Sequence, residues 1–329
     1  MNKNILVFVI SLPLLLLADE DQEINSFIMG FGSCLDEEKS QEIWKSLEKE
    51  NLDTFFFMGD NVYGDTESGV LTKMEDSYKQ QERNLPPWLK RLNPLAIWDD
   101  HDYGLNDAGK DYPFKRESQE LFLKFWKINK DDPRHQREGI YFSEVKKFND
   151  KDILIIGLDT RYFRSSLEGK SKNYLSTNDS KKTILGNDQW DWLTEELHRD
   201  VDLVILVSSI QILATNHGFE KWNNFPHERQ RLLTLIKKSD NKVVLVSGDR
   251  HKGGIYKQNN LYELTSSSLN KPLPVFFQGF FGKETDPLLI GEMQYVANYG
   301  VVTIDEMGLL KIFLKDKNGK ILQAVKIEL

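Results

Sequence analysis

At 329 residues the chain is long enough to bury a full core, and 40% hydrophobic with 29% charged residues is the balance of an ordinary globular protein, not a disordered or fibrous one. The formal net charge of −8, from 51 acidic and 43 basic residues, supplies no global field to hold a polyanion, so stable nucleic-acid binding is not expected. A phosphate-bearing partner would have to be met by local charge, from a metal or a buried arginine.

Met1 to about Asp19 has the form of a secretory signal: Lys3 gives a positive start, Ile5 to Leu17 an apolar stretch, and Ala18 a small residue before cleavage. The stretch is shorter than the roughly 20 apolar residues of a membrane span and holds no Arg-Arg pair. The expectation is a signal peptide over 1–18 of the general secretory type and a single domain over 19–329, secreted or periplasmic, monomeric, with no transmembrane anchor after cleavage. One cysteine, Cys34, excludes an intrachain disulfide. Metal ligation is one reason to export a lone thiol, and a small buried core residue is the bland alternative that composition favours.

Short apolar runs then recur, each ending in polar residues. Phe27 to Phe31 runs into Gly32-Ser33-Cys34, Thr54 to Met58 into Gly59-Asp60-Asn61-Val62-Tyr63, and Pro94 to Trp98 into Asp99-Asp100-His101-Asp102. Ile153 to Leu158 meets Asp159-Thr160-Arg161, Val204 to Val207 meets Ser208-Ser209, and Lys242 to Val246 meets Ser247-Gly248-Asp249-Arg250-His251. Runs apolar throughout predict strands covered on both faces. Helical patterns fall over Glu37 to Glu50, Arg116 to Trp126, Asp188 to Leu197 and His227 to Lys238. Alternating strands and helices predict an α/β architecture whose polar clusters converge beyond the carboxyl ends of the strands. Asn129 to Gly139 and Ser165 to Leu185 read as loops, the second a candidate lid over the site. Tyr299 to Ile304, Leu309 to Lys315 and Ile321 to Ile327 predict closing strands of a sheet, the last two joined at Lys317-Asn318-Gly319.

The densest cluster, Asp99 to Asp107, places four acidic side chains, His101 and Asn106 within ten residues, and so many like charges repel unless cations neutralise them. Gly59-Asp60 at a strand end suits a carboxylate shared by two metals, although glycine-aspartate alone is usually a turn. Tyr63 could offer a phenolate to a hard trivalent ion such as Fe(III). Asp249 and His251, two apart in an extended segment, point the same way. Arg161 could fork onto two phosphate oxygens or form a structural salt bridge. His217 could be a further ligand or a pocket wall, and His135 and His198 read as surface residues.

In this order the clusters resemble the PhoD-like family of metallophosphoesterases, from about Gly32 to about Ser268: Gly-Ser-Cys, Gly-Asp-x-x-Tyr, Trp-Asp-Asp-His-Asp with Asn-Asp following, Phe122-x-x-Phe125-Trp126, Leu-Asp-Thr-Arg, Leu185-Gly186-x-x-Gln189-Trp190-x-Trp192-Leu193, and Ser-Gly-Asp-Arg-His. The resemblance implies a calcineurin-like metallophosphatase fold, with two mixed β-sheets packed face to face and helices outside. It implies an Fe(III) and Ca2+ site in which Cys34, Asp60, Tyr63 and His251 ligate iron, Asp60 bridges, and Asp100, Asn106 and Asp249 complete the calcium side. Arg161 would bind phosphate, which explains neither more nor less than its salt-bridge alternative, whereas a ligand role explains the exported Cys34.

The activity so implied is hydrolysis of small phosphate esters, phosphodiesters first, by a metal-activated hydroxide, with Asp100 and Arg161 at the reacting phosphate. His101 would be the acid for the leaving alkoxide or a partner of a ligand carboxylate. A strict alkaline phosphomonoesterase and a non-catalytic phosphate- or metal-binding surface protein are the rival readings. Founding members are exported folded through a twin-arginine signal and carry an extra N-terminal domain and, in some, a C-terminal helix over the site. Here the expectation is metal uptake outside the cytoplasm and a more open site that admits larger esters.

Overall fold

The computed structural model of the chain describes residues 25–274 and 284–328, so the expected signal peptide lies outside the described residues. In chain order the first strands are β1 (Ser26–Gly32), β2 (Thr54–Met58), β3 (Leu95–Ile97), β4 (Phe142–Phe148) and β5 (Lys151–Gly157). A small hairpin, β6 (Glu168–Lys170) with β7 (Asn173–Leu175), precedes β8 (Leu203–Ser208) and β9 (Lys242–Ser247). Then follow β10 (Gly253–Gln258), β11 (Leu261–Ser266), β12 (Leu289–Gln294), β13 (Asn298–Asp305), β14 (Leu309–Asp316) and β15 (Ile321–Glu328). The helices are α1 (Trp44–Leu47), α2 (Met74–Asn84), α3 (Pro87–Arg91), α4 (Asp100–Tyr103), α5 (Lys115–Phe125), α6 (Gly186–Leu197) and α7 (Pro226–Lys238).

Six strands form one sheet in the order β15-β14-β13-β1-β2-β3, and seven form the other in the order β12-β10-β11-β9-β8-β5-β4. Both are mixed: β1, β2 and β3 run parallel, as do β5, β8, β9 and β11, and the flanking strands are antiparallel. The side chains explain the layering. In β2 every residue is buried. Phe56 turns inward, stacking on Phe31 of its own sheet and Phe142 of the other. Phe55 and Phe57 turn outward, where Trp44 packs edge-on against both and Trp126 covers Phe57. The second sheet repeats this alternation. Ile153 and Ile155 of β5 join the core between the sheets, while Leu154 and Ile156 join Trp190, Leu193 and Leu232 on the outer helices α6 and α7. This is the expected arrangement of two face-to-face mixed sheets with helices outside.

Three helical expectations hold to within a few residues. The fourth, Glu37 to Glu50, does not: regular helix starts only at Trp44 and continues as a short 3-10 turn over Glu48–Glu50. The preceding residues are spent elsewhere. Glu37 Oε2 accepts the Tyr63 backbone N–H at 2.8 Å, and the Glu37 carbonyl accepts from Gln80 and Asn84, which holds the segment against α2 in a non-helical course. Of the closing strands only β15 is an edge; β13 lies inside its sheet against β1.

Candidate metal centre

Cys34, Asp60, Asp99, Asp100, Asp249 and His251 all lie just past the carboxyl ends of β1, β2, β3 and β9, so parallel strands of the two facing sheets deliver them to one rim. The turns that do this are tight. Cys34, Asp60, Asp249 and His251 all have positive φ (56, 51, 69 and 53°), a left-handed backbone that side-chain-bearing residues seldom adopt. Four such residues at one rim are a concentration of strain that packing alone does not call for. Gly59 (φ 96°) makes the turn before Asp60, and a Cβ on it would lie 2.5 Å from the Asp99 Cβ, so only glycine lets the second and third strand ends approach.

Ligand atoms of Cys34, Asp60 and His251 lie within 4.8 Å of one another, as do those of Asp99, Asp100 and Asp249, and Asp60 also groups with Asp100 and His101. Asp60 Oδ2 is 3.5 Å from Cys34 Sγ and 3.1 Å from the Tyr63 hydroxyl, which places all four implied iron ligands around one point. The His251 Nδ1 lies 2.6 Å from the Lys271 carbonyl. A carbonyl only accepts, so Nδ1 carries the proton and Nε2 keeps its lone pair for a cation.

Electrostatics make the same case. Burial pushes Asp60 up to about 7, with Asp100 and Asp102 adding to the rise and His101 opposing it. Burial and the neighbouring Asp99 and Asp100 push Asp249 well up, and burial pushes Asp99 up against the pull of Arg161. Only Asp100 is held below the ordinary range, His101 and Arg161 outweighing its burial. The Cys34 thiol and Tyr63 phenol are raised by burial and then by Asp60. His251 is pushed down to about 4, chiefly by burial. Three buried carboxylates and a thiol thus crowd around a neutral imidazole and the ionised Asp100, with too little positive charge to ionise them as well. Asp99 Oδ2 and Asn61 Oδ1 are moreover buried without a hydrogen-bond partner. This donor set, sulfur and imidazole on one side and oxygen alone on the other, fits a softer transition metal beside a hard cation.

Not every expected residue converges equally. Asn106 sits exposed on the rim, its amide donating to Asp107 at 2.8 Å. Arg161 is fully buried: its Nε is 2.7 Å from Asp99 Oδ1, its Nη1 2.5 Å from Glu220 Oε2, and its Nη2 4.0 Å from Asp100. His101 Nδ1 is 2.9 Å from Asp65 Oδ1; burial opposes its charge, but Asp100, Asp60 and Asp65 raise it to about 10. His217 is a wall residue, with Nε2 2.9 Å from Gln211 Oε1 and Nδ1 accepting the Phe219 N–H, so neither nitrogen is left for a metal. The sequence reading missed Asp102, whose carboxylate accepts the backbone N–H of Asp99 and Asp60 and ties two of the turns together. It also missed Glu220, which divides its carboxylate between Arg161 and Arg164. A pocket opens beside the cluster, its lining including Asp100, His101, Asp249 and His251 together with Tyr174, Phe219 and Arg250. Tyr174 belongs to the β6–β7 hairpin, so the segment expected as a lid does wall the site.

A model of the PhoD-like phosphatase family matches residues 151–277. Alkaline phosphatase D of Bacillus subtilis is 23% identical over 295 residues, covering 75% of this chain and 49% of that protein. The resemblance to the PhoD-like family therefore holds. The chain spans about half the length of this curated PhoD-like relative. The family match takes in Arg161, Glu220, Asp249 and His251, and geometry brings Cys34, Asp60 and Asp100 to them. Two solved structures share the fold: purple acid phosphatase PPD1 of yellow lupin (TM-score 0.61, 12% identity, 93% of this chain and 54% of that one) and GAP50, the anchor in the inner membrane complex of Plasmodium (TM-score 0.59, 11% identity, 92% and 89%). The calcineurin-like architecture that the resemblance implied is the one observed. Among the described residues no helix is long and apolar enough to cross a membrane.

Proposed function

We propose that this chain is a metal-dependent phosphoesterase acting on small phosphate esters, phosphodiesters in preference to monoesters, and exported to the periplasm or beyond. The observation that carries the reading is the junction of two ligand groups, Cys34-Asp60-His251 and Asp99-Asp100-Asp249, at one strained rim. Cys34, Asp60, Tyr63 and His251 would hold iron, and Asp60, Asp100, Asp249 and the rim amide of Asn106 would hold calcium. Bound there, the cations would neutralise phosphate oxygens and lower the pKa of a water from about 15.7 toward ~7.

The protein side chains have separate tasks. Arg161 holds Asp99 in place through its hydrogen bond, helps to keep Asp100 ionised and sets a positive charge behind the phosphate site. Asp65 orients His101 through Nδ1, so that its other nitrogen can deliver a proton to the departing alkoxide. The pocket beyond the cluster, walled by Tyr174 and Phe219, gives room for a second alcohol, which supports the diester preference. The test is turnover of a chromogenic phosphodiester and the matching monoester by the chain supplied with iron and calcium, with and without chelator. Diester turnover abolished by chelator is expected. Faster monoester turnover would make the chain a phosphomonoesterase, and no turnover of either by folded, metal-loaded protein would overturn the enzymatic reading.

A further inference from the structure

The substrate pocket has a cationic wall that the chemistry above does not use. Arg250 sits between two proposed ligands, Asp249 and His251, yet its side chain is turned away from the carboxylate cluster. Its Nη2 is 2.7 Å from Glu284 Oε2, and its guanidinium lies over the Phe219 ring at 4.6 Å from the centroid. It is only 3% exposed, and it lines the pocket. Its Nε is buried and makes no hydrogen bond among the described residues. A buried guanidinium N–H that nothing ever meets is destabilising, so an acceptor supplied from the pocket is the economical explanation.

The surroundings leave positive charge over. Glu284 Oε2 is shared between Arg250 and Lys252, and Glu284 Oε1 takes the Tyr256 hydroxyl at 3.2 Å. Lys221, also buried, has no carboxylate contact among the described residues and instead donates to the carbonyls of His217 and Phe219. Burial and then the charge of Arg250 push Lys221 down to about 8, a mark of the positive potential on this side. The guanidinium plane is fixed by Phe219 and Glu284 before any ligand arrives, so little side-chain entropy remains to be lost on binding.

We propose that Arg250 is a specificity-determining residue that binds a second anionic group, a carboxylate or phosphate on the alcohol portion of the ester, while the scissile phosphate occupies the metal centre. The inference rests on the functional reading above but makes a separate claim, since it concerns ligand charge and not turnover. It predicts that the natural substrates are esters of acidic alcohols, such as phosphorylated hydroxy acids or compounds bearing two phosphoryl groups.

The test is equilibrium binding, which does not require catalysis. The iron- and calcium-loaded chain is titrated calorimetrically with 2-carboxyethylphosphonate and with propylphosphonate, of equal chain length but without the second charge. We expect the carboxylate ligand to bind about tenfold more tightly, as one hydrogen-bonded ion pair provides. Arg250→Gln should abolish that difference and leave propylphosphonate binding within about twofold, while Arg250→Lys should keep part of it. Metal content and circular dichroism of each variant separate a lost site from a lost contact. Equal affinities in the wild type, a preference that survives Arg250→Gln, or equal loss of both ligands in a folded, metal-loaded variant would overturn the proposal. If the preference follows Arg250 but no phosphate ester is hydrolysed, the functional reading fails and this inference stands.

Discussion

The Nε of Arg161 lies 2.7 Å from Oδ1 of Asp99, with both side chains completely buried. The pair joins the carboxyl end of β5 in one sheet to that of β3 in the other, so it fastens the two halves of the metal centre across the interface of the sandwich. Because Glu220 holds the other arm of the guanidinium, Arg161 is the one cation between two enclosed carboxylates.

Removing that cation should be costly in a specific way. Arg161→Met leaves Asp99 buried without its cation, while Glu220 keeps Arg164, and about 3–5 kcal/mol of stability should be lost. Adding Asp99→Asn should restore part of the loss, because the stranded charge is gone. Urea unfolding of the two variants in chelator measures this, and strictly additive destabilisation would contradict the ion-pair account.

Gly59 offers a steric test. With φ at 96° and the Asp99 Cβ 2.5 Å from where its own Cβ would stand, Gly59→Ala should destabilise by about 2 kcal/mol or more. The variant should also bind metal more weakly, because Asp60 and Asp99 are pushed apart. A urea midpoint unchanged from wild type would mean that the turn is not the constraint described.

Much of this was legible in the sequence because the chemistry follows apolar runs. Cys34, Asp60, Asp100, Asp249 and His251 each stand within four residues of the carboxyl end of a strand, and strand ends in α/β folds share a rim. Glu220 was not legible: it lies in a loop among ordinary polar residues, and its meaning comes only from Arg164 and from Arg161, 59 positions away. Asp102 was visible as one more acid in a cluster, and only the fold shows that it grips backbone N–H groups of two turns. Strands β4 and β10 were missed for a physical reason. β4 is an edge strand with Glu144, Lys146 and Lys147 at its surface, and β10 opens with Gly253-Gly254, where a Cβ would meet Leu314 and Met293. The helical pattern at Glu37 was a true periodicity overruled by tertiary hydrogen bonds.

Glu228 should matter although it belongs to none of the candidate ligand groups. Its Oε2 accepts from the Thr183 hydroxyl at 2.6 Å, the Ile184 N–H at 2.8 Å and the Trp190 indole at 2.9 Å, tying α7 to the start of α6. Glu228→Ala strands three donors and should cost about 3 kcal/mol, with metal content unchanged. A loss under about 0.5 kcal/mol in thermal or urea unfolding would show that water replaces the carboxylate without penalty.

Glu284 gives a pH signature. Burial alone would raise its carboxyl, but Arg250 and Lys252 hold it below its ordinary value of 4.5. A folded-state pKa below the unfolded one means that the carboxylate stabilises the fold above about 4.5 and that this contribution is lost as the pH falls through the lower folded value. The stability difference between wild type and Glu284→Gln should therefore be largest near neutrality and shrink in acid. A difference that is constant, or that grows on acidification, would contradict the pairing.

The central claim is that the rim holds two cations through Asp60. Elemental analysis of the chain loaded with iron and calcium, and then exchanged into metal-free buffer, should find about one of each per chain. Asp60→Asn should lose at least one of them together with turnover of the chromogenic diester. Wild-type protein that hydrolyses the diester while holding no metal, or an Asp60→Asn variant that keeps both metals and full activity, would contradict the account.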